Sequence, residues 1–294
     1  MEKMNINLEK RWVNQGTGEV IDNVGRIQTE EQISNNRKNF RHFREEILPL
    51  PGLLQQEYGN FIQTRYNPLL KAIDYDTATA FRFIYLCTYM EYDTGYIIWN
   101  NAKAKENDLK FILDISRAVM PKIKQELFDD GLIFKDTEGY LYVNPTYCYK
   151  GDISNNKEYK KEYTRIFNNS IQELYKKSGD PREHKMLGKF ILLLPYVNIY
   201  HNVICLNIRE KDMERIILPS SQQMDEIFHV SERNANRTLK ELLSIKVGGE
   251  PAILNISHNM AKIYAVNPRI YYGGVNVKNL EELRGYFKAK GGLD

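Results

Sequence analysis

The chain is poor in cysteine and has no long apolar run. Its three cysteines, Cys87, Cys148 and Cys205, are odd in number, far apart and without C-x-x-C spacing, which argues against a disulfide framework or a zinc ribbon and favours a reducing compartment. No stretch of about eighteen apolar residues occurs, and the N-terminal MEKMNINLEKRW has no apolar signal core. We therefore expect a cytoplasmic protein that neither crosses a membrane nor is secreted.

The common catalytic motifs are also lacking. The sequence contains no GxxxxGK[ST] phosphate loop, no HExxH, no GxSxG and no histidine pair separated by one hydrophobic residue, and its five histidines are scattered. Twenty tyrosines leave a tyrosine nucleophile conceivable, but no accompanying Arg/His/Lys constellation can be assembled, and tyrosine richness more often reflects packing. The sequence thus predicts a protein that is not an enzyme and has no cofactor or metal site.

What the chain does contain is enough apolar material for two domains. Its 294 residues exceed the length of a typical domain, about 150 residues. Hydrophobic residues make up 42% of the chain and charged residues 27%, which is the composition of ordinary globular proteins. The net charge of +3 and the pI near 8.5 are compatible with a polyanionic partner, but they are also common in proteins that have none.

An internal repeat is the most informative pattern. Residues 83–100 (FIYLCTYMEYDTGYIIWN) align without gaps on residues 190–207 (FILLLPYVNIYHNVICLN). Residues 140–151 (YLYVNPTYCYKG) align on residues 263–274 (IYAVNPRIYYGG). The offset between the copies grows from 107 at the first block to 123 at the second, so the second copy carries sixteen additional residues, which loops absorb.

Each copy predicts the same order of elements. A buried apolar helix, capped in copy one by Asp76 or Thr77, precedes a short strand and two helices separated by three or four residues. The second of these helices begins at Ser116 in copy one and at Ser231 in copy two. A hairpin follows and ends at an Asn-Pro pair. The predicted short strands are 96–99 and 203–206, the hairpin turns 136–139 and 257–259, and the Asn-Pro pairs 144–145 and 267–268.

Helix, strand, helix, helix and two-stranded hairpin is the order of a winged helix. We therefore predict a mainly α fold with small β-hairpin wings (α+β), built from tandem winged helix-turn-helix domains. The predicted segments are an N-terminal arm with a hairpin and helices (1–72), winged-helix domain 1 (73–151), a basic linker helix and turn (152–187), winged-helix domain 2 (188–275) and a C-terminal helix or tail (276–294).

Two stretches resemble the RepL-type replication proteins of small Gram-positive plasmids, which belong to the wider winged-helix group. Residues 11–21 (RWVNQGTGEVI) are similar to the N-terminal segment of that family, and residues 131–152 (GLIFKDTEGYLYVNPTYCYKGD) are similar to its wing. The resemblance implies DNA binding and a role in replication. Members of the family carry one such module, whereas this chain has a second copy at residues 188–274.

The second helix of a helix-turn-helix enters the major groove, where its first turns meet base edges. In copy two, an apolar face at helical spacing predicts the core contacts Ala235, Leu239, Leu242 and Leu243. The opposite face is predicted to bind DNA through Ser231, Arg233, Asn234, Asn236, Arg237 and Lys240. The alternative is a solvated face on which Glu232 and Glu241 pair with these cations.

Copy one predicts a weaker DNA-reading helix, because Pro121 makes it begin later or kink. Its predicted core residues are Met120, Ile123, Leu127 and Phe128, and its predicted DNA contacts are Ser116, Arg117, Lys122, Lys124 and Gln125. Further predicted contacts lie on the wings, at Lys135 and Thr137 in copy one and at His258, Asn259 and Lys262 in copy two.

Three more segments carry basic residues. Residues 157–177 predict an amphipathic helix that acts as a packed connector or in dimerisation, or that rests on DNA. The lysines of residues 101–108 are placed to contact phosphates, and residues 37–44 (RKNFRHFR), downstream of a predicted turn at 16–18, form an arm that either contacts phosphates or packs on the first domain.

The partner we expect is double-stranded DNA, bound sequence-specifically at the origin repeats of a plasmid or phage to initiate or control replication. A transcriptional repressor or activator using the same tandem winged helices is the first alternative. A protein-interaction module that recruits replication or transcription proteins is the second. The chain is expected to act either as a monomer with two DNA-binding heads or as a homodimer.

Overall fold

The computed structural model describes residues 12–13, 20–21, 30–42, 50–152, 164–179, 181–231, 234–258, 261–274 and 277–291. The chain divides into two compact units, Met1–Pro49 and Leu50–Asp294. In the first unit, β1 (Trp12–Val13) pairs antiparallel with β2 (Val20–Ile21), and α1 (Glu30–His42) follows. The predicted turn at 16–18 and the end of the basic arm, residues 43–44, lie outside the described residues.

The second unit combines helices with small antiparallel sheets, as the predicted α+β class requires. Its helices are α2 (Leu50–Tyr58), α3 (Tyr66–Ala72), α4 (Thr77–Cys87), α5 (Leu109–Ile112), α6 (Met120–Asp129), α7 (Asn168–Lys177), α8 (Pro181–Leu193), α9 (Ser221–Ile227), α10 (Ala235–Leu243) and α11 (Val277–Gly291). Its strands are β3 (Phe61–Thr64), β4 (Ile98–Trp99), β5 (Ala102–Lys103), β6 (Ile133–Lys135), β7 (Leu141–Val143), β8 (Cys148–Tyr149), β9 (Arg165–Phe167), β10 (Lys246–Val247), β11 (Glu250–Pro251), β12 (Ile253–His258), β13 (Ala261–Val266) and β14 (Tyr271–Tyr272). No helix among the described residues is long and apolar enough to cross a membrane.

A four-stranded antiparallel sheet holds the second unit together, in the order β14-β9-β3-β8. The two outer strand pairs, β3 with β8 and β9 with β14, have the same register. Thr64 lies opposite Cys148 in the first pair, and Ile166 lies opposite Tyr271 in the second. The central pair joins β3 to β9 antiparallel. Equivalent strands that meet antiparallel are related by a local twofold rotation. We call residues 61–149 the first repeat and residues 165–272 the second repeat.

The hydrogen bonds of the two repeats match in the register that the sequence alignment predicted. At the offset of 107, the bridge Met90–Ile97 recurs as Val197–Ile204. The bonds that join the core helix region to the hairpin also recur: the Val143 amide donates to the Gly95 carbonyl at 2.9 Å, and the Val266 amide donates to the Asn202 carbonyl at 2.9 Å. Gly95 and Asn202 share a positive φ, 75° and 55°. These matches confirm the internal repeat.

The sixteen additional residues of the second repeat fall in three places. Fourteen positions separate Asn207 from Ser221, whereas six separate the equivalent residues Asn100 and Glu106, so eight residues are added here. The longer segment contains a 3₁₀ turn at Met213–Arg215. Five more form the small β10–β11 hairpin, and three lengthen the β12–β13 hairpin relative to β6–β7. All three insertions lie in connections or at a hairpin, where loop entropy rises slowly with length.

The buried helices α4 and α8 pack against each other and form the centre of the core. As predicted, Asp76 caps α4: its carboxylate accepts from the Thr79 amide at 2.9 Å. Where the helices cross, a Cβ on Gly188 would lie 1.7 Å from the Thr77 carbonyl oxygen. Glycine is therefore required at this crossing. One continuous apolar cluster runs from Ile62 to Tyr271 through both repeats.

A second apolar cluster lies beside the second repeat. The terminal helices α2 and α11 contribute Leu54 and Phe287, which pack against Phe167 and Tyr272 of the sheet. Arg284 on α11 pairs with Glu57 on α2, with nitrogen and oxygen 2.7 Å apart. The C-terminal segment, predicted as a helix or tail, is helical over Val277–Gly291 and packs against the second repeat.

Two predicted elements are wrong in part. The helix predicted over residues 157–177 is a strand at Arg165–Phe167 and becomes helical only at Asn168, because β9 takes its hydrogen-bond partners from β3 and β14. Residues 157–163 lie outside the described residues. The second hairpin turn does not include Ser257 and His258, since β12 pairs through His258 opposite Ala261.

Candidate nucleic-acid interface

The helix pair α9 and α10 precedes the β12–β13 hairpin in the second repeat. The predicted cap at Ser231 is wrong, because α10 begins four residues later, at Ala235. The Asp225 carboxylate on α9 accepts from the Ala235 amide at 2.8 Å and so fixes where α10 starts. Ser231 instead receives a hydrogen bond from the Asn234 side chain at 2.6 Å. Seven residues, not three or four, therefore separate the two helices.

Helix α10 has one buried and one exposed face, as its sequence predicted. Ala235, Leu239 and Leu242 are buried, and Leu243 is half-buried against the core. The opposite side exposes three of the predicted DNA contacts, Asn236, Arg237 and Lys240. Ser231 and Asn234 are exposed just before the helix, whereas Arg233 lies outside the described residues.

The corresponding helix of the first repeat is α6. Its predicted cap at Ser116 is wrong in the same way, since the helix begins at Met120 with Pro121 in its first turn. A proline is tolerated there because a first-turn amide has no acceptor within the helix. The prediction that Pro121 delays the helix is therefore confirmed. Ile123 and Leu127 are buried, while Met120 and Phe128 are half-buried and packed on the core.

The turns before α6 and α10 have the same backbone geometry. Asp114 and His229 both have a φ of 49°. The loop into the first helix of each pair is also equivalent: the Lys105 amide donates to the Asp108 carboxylate, and the Ser220 amide donates to the Gln223 side chain, each at 2.8 Å. The helix pairs of both repeats are therefore built alike, at a constant offset of 115 residues.

The charges on the two repeats differ because of Glu106. Its carboxylate accepts a hydrogen bond from Lys124 on α6 at 2.6 Å and is also paired with Lys135 on the β6–β7 hairpin. These contacts, first that of Lys124 and then that of Lys135, hold the pKa of Glu106 below its ordinary range. One carboxylate thus pairs with two of the predicted DNA contacts in the first repeat and offsets one of their two positive charges. The position equivalent to Glu106 in the second repeat is Ser221.

One pair of predicted contacts is placed identically in the two repeats. Lys122 pairs with Glu126 at 3.6 Å, and Arg237, 115 residues later, pairs with Glu241 at 3.1 Å. Both cations remain largely exposed, at 79% and 81% of the side chain. Exposed pairs of this kind are weak, so each cation can exchange its carboxylate for another anion. Arg117 and Gln125 are exposed beside Lys122.

The two hairpins present the remaining predicted contacts. In the first, the Asp136 carboxylate accepts from the Glu138 and Tyr140 amides at 2.9 Å, and Gly139 takes a φ of 82°, which forms the predicted turn and exposes Thr137. In the second, Lys262 is exposed on β13. His258 lies at the end of β12, and Asn259 lies outside the described residues.

The upstream lysines of the first repeat lie over aromatic rings. The ammonium group of Lys103 lies 3.6 Å from the ring centroid of Tyr96, and that of Lys105 lies 4.8 Å from that of Tyr140. Both side chains belong to exposed residues. The sequence alone did not predict the contributions of Glu106 and Asp225, because their partners lie ten or more residues away.

Among the described residues, no group of three or more His, Cys, Asp or Glu side chains is placed to hold a metal ion. All three cysteines are free and buried, and burial, followed by the neighbouring Cys148, raises the pKa of the Cys87 thiol.

Comparisons of the chain with protein-family models, with curated proteins and with solved structures find no match.

Proposed function

We propose that the two repeats are winged helix-turn-helix modules and that the chain binds double-stranded DNA sequence-specifically, at repeats that control plasmid or phage replication. The observation that supports this most is the exposed face of α10, where Asn236, Arg237 and Lys240 stand opposite a buried face. Arginine and asparagine recognise guanine and adenine in the major groove, and lysine binds phosphate.

The local twofold relation between the repeats supports a particular mode of binding. Helix-turn-helix dimers bind two half-sites about one helical turn apart because their subunits are related by a twofold axis. Here the paired strands β3 and β9 give the same relation within one chain. A monomer would then occupy two half-sites. Regulation of transcription from the same sites would use the same surface.

Footprinting tests this mode directly. We expect the purified chain to protect two half-sites about 10 base pairs apart, centre to centre, in the presence of excess competitor DNA. Size-exclusion chromatography of the complex gives the number of chains bound. Protection of one half-site by one chain would contradict the two-headed mode, and binding without sequence preference would contradict the proposed function.

The Glu106 pairs give a second prediction. In Glu106→Gln, Lys124 and Lys135 lose the one negative charge that they share, so we expect DNA affinity at low salt to rise roughly tenfold and the salt slope to steepen by about one. Titrations at several salt concentrations measure both quantities. Glu138→Gln is the matched control, because it removes one negative charge from the β6–β7 hairpin, which carries Lys135, and leaves both lysines paired with Glu106.

One observation favours a different partner for the first repeat. Its segment from Lys105 to Lys135, which carries the lysines paired with Glu106, exposes three large apolar side chains, Phe111, Val119 and Phe134, at 59%, 38% and 37%. Exposed aromatic side chains are enriched where proteins meet. A salt slope that does not change in Glu106→Gln would mean that the lysines of this repeat do not meet DNA, and would favour replication or transcription proteins as its partner.

A further inference from the structure

A cavity of about 460 Å³ lies between the repeats, beside the turn that leads into α6. The first repeat lines it with Arg82, Ser116 and Ile123, and the second repeat lines it with Tyr175 and Lys176. Its volume is in the range of sites that hold small organic molecules, which are also commonly found where two modules meet. The cavity does not include the exposed face of α10.

Arg82 is the unusual residue in this cavity. It lies on the buried helix α4, is only 7% exposed, and its Nε has no hydrogen-bond partner. No ion pair joins Arg82 to a carboxylate within the described part of the chain. A buried cation without a counter-charge is costly unless a bound group compensates it.

The second repeat shows how the same position is satisfied without a ligand. At the offsets of 107 and 115, Arg82 and Ile123 correspond to Lys189 and Thr238. There the Lys189 ammonium donates to the Thr238 hydroxyl at 3.1 Å. In the first repeat Ile123 offers no acceptor to Arg82. The cation therefore lacks the partner that its counterpart has.

The equivalent of the cavity is partly filled in the second repeat. His229, which corresponds to Asp114, has the Tyr75 ring packed against it, with centroids 4.0 Å apart. Asp114 lines the cavity instead and is exposed to solvent at its rim. The buried end of the cavity, at Arg82, is therefore cationic and its open end carries one carboxylate.

Stacked aromatic rings line the cavity together with Arg82. The Tyr85 and Tyr175 rings stack at 3.6 Å with an interplanar angle of 4°, and His184 stacks on Tyr175 at 4.5 Å. The Tyr175 hydroxyl donates to the Leu113 carbonyl at 2.9 Å, which ties this stack to the turn before α6. A guanidinium on a buried helix of such a cavity is placed to bind an oxyanion through two of its N–H groups.

We propose that this cavity binds a small oxyanion, the carboxylate or phosphate group of an organic metabolite. Arg82 binds the anionic oxygens, Lys176 at the rim adds a second positive charge, and the apolar side chains Val119 and Ile123 contact the rest of the ligand. The site belongs to the first repeat and needs neither DNA nor α10. Its ligand would contact the turn that precedes α6.

Thermal unfolding and calorimetry test the site with two probes, inorganic phosphate and benzoate, against chloride at equal ionic strength. At a hundredfold excess over its Kd, the bound probe should raise Tm by about 5–10 °C. A rise with phosphate alone assigns a phosphate group, and a rise with benzoate alone assigns a carboxylate. If neither probe raises Tm above the chloride control, the proposal is wrong.

Variants identify the residue that binds. Arg82→Met removes the unpaired buried cation, so we expect a higher Tm without probe and no further rise with it. Ile123→Thr supplies the acceptor that Thr238 gives Lys189 and should weaken probe binding even if Arg82→Met does not fold. Arg215→Met, an exposed residue far along the chain, should keep the full response. A full probe response in Ile123→Thr or Arg82→Met would overturn the assignment to Arg82.

Discussion

Reversing two charges on α10, in the double variant Arg237→Glu and Lys240→Glu, is expected to abolish DNA binding. Both side chains are exposed opposite the buried face of the helix. Losing one specific arginine contact costs about 1–3 kcal/mol. Adding a repelled carboxylate at each position makes the total loss of affinity roughly a thousandfold or more. Gel-shift or fluorescence titration at fixed salt measures this loss.

The first repeat offers a matched control for this change. Lys122→Glu alters the residue that occupies the position of Arg237 and has the same pairing to a carboxylate one turn later. We expect a smaller loss of affinity, because Glu106 already pairs with two neighbouring lysines and offsets one of their charges. Equal losses for Lys122→Glu and Arg237→Glu would mean that both repeats contribute equally to DNA binding.

Two further outcomes decide the interpretation. All of these side chains are exposed, so the free energy of unfolding should stay close to that of the parent chain. If the double variant on α10 has the same free energy of unfolding as the parent chain and still binds DNA with the parent's affinity, α10 is not the helix that recognises the DNA sequence. A loss of affinity in that variant for specific and nonspecific DNA alike would indicate phosphate contacts without base recognition.

The second large effect is expected from Gly188→Ala. The added Cβ would meet the Thr77 carbonyl oxygen at 1.7 Å, far inside contact distance, and the obstacle is backbone, which cannot rotate away. The helices α4 and α8 must then separate, which also strains the hydrogen bond from the Thr77 hydroxyl to the Lys185 carbonyl. Overpacking a core costs typically about 1–3 kcal/mol and occasionally more, and we expect the upper end or loss of folding.

Urea unfolding measures this change, and Gly285→Ala is its control. Gly285 lies in α11, where an added Cβ would find nothing within 4 Å. The same substitution there should stabilise the protein by up to about 1 kcal/mol, because alanine is the better helix former. If Gly188→Ala unfolds at the parent urea concentration, α4 and α8 do not cross in close contact at Gly188.

Local chemistry predicted much of each repeat. Asp76 caps α4 because a short carboxylate accepts from a free first-turn amide, and the apolar residues after it have no polar face to expose. Asp136 and Gly139 form the first hairpin turn, and the Asn-Pro pairs end both hairpins because proline cannot donate to a strand. The buried and exposed faces of α10 follow from helical spacing alone.

The helix starts were predicted less well. Ser116 and Ser231 have the residue type of a cap, yet both helices begin four positions later. For α10 the reason is that Asp225, ten residues upstream of Ala235, accepts from the first amide of the helix. Which of several competent acceptors caps a helix depends on how the preceding helix packs, and sequence spacing does not determine that.

Pairing across the chain was decided only by the tertiary structure. Residues 165–167 lie within a stretch with helical spacing, but Arg165 and Gln63 face each other in the central strands of a sheet that joins segments about a hundred residues apart. The ion pairs of Glu106 likewise join it to Lys124 and Lys135, which lie 18 and 29 positions further along the chain. The sequence by itself determined the elements whose partners lie within a turn or two, because sterics and periodicity act locally. The antiparallel pairing of β3 with β9 and the unequal charge of the two repeats depend on long-range contacts. Such contacts stabilise the protein only after folding has brought both partners together.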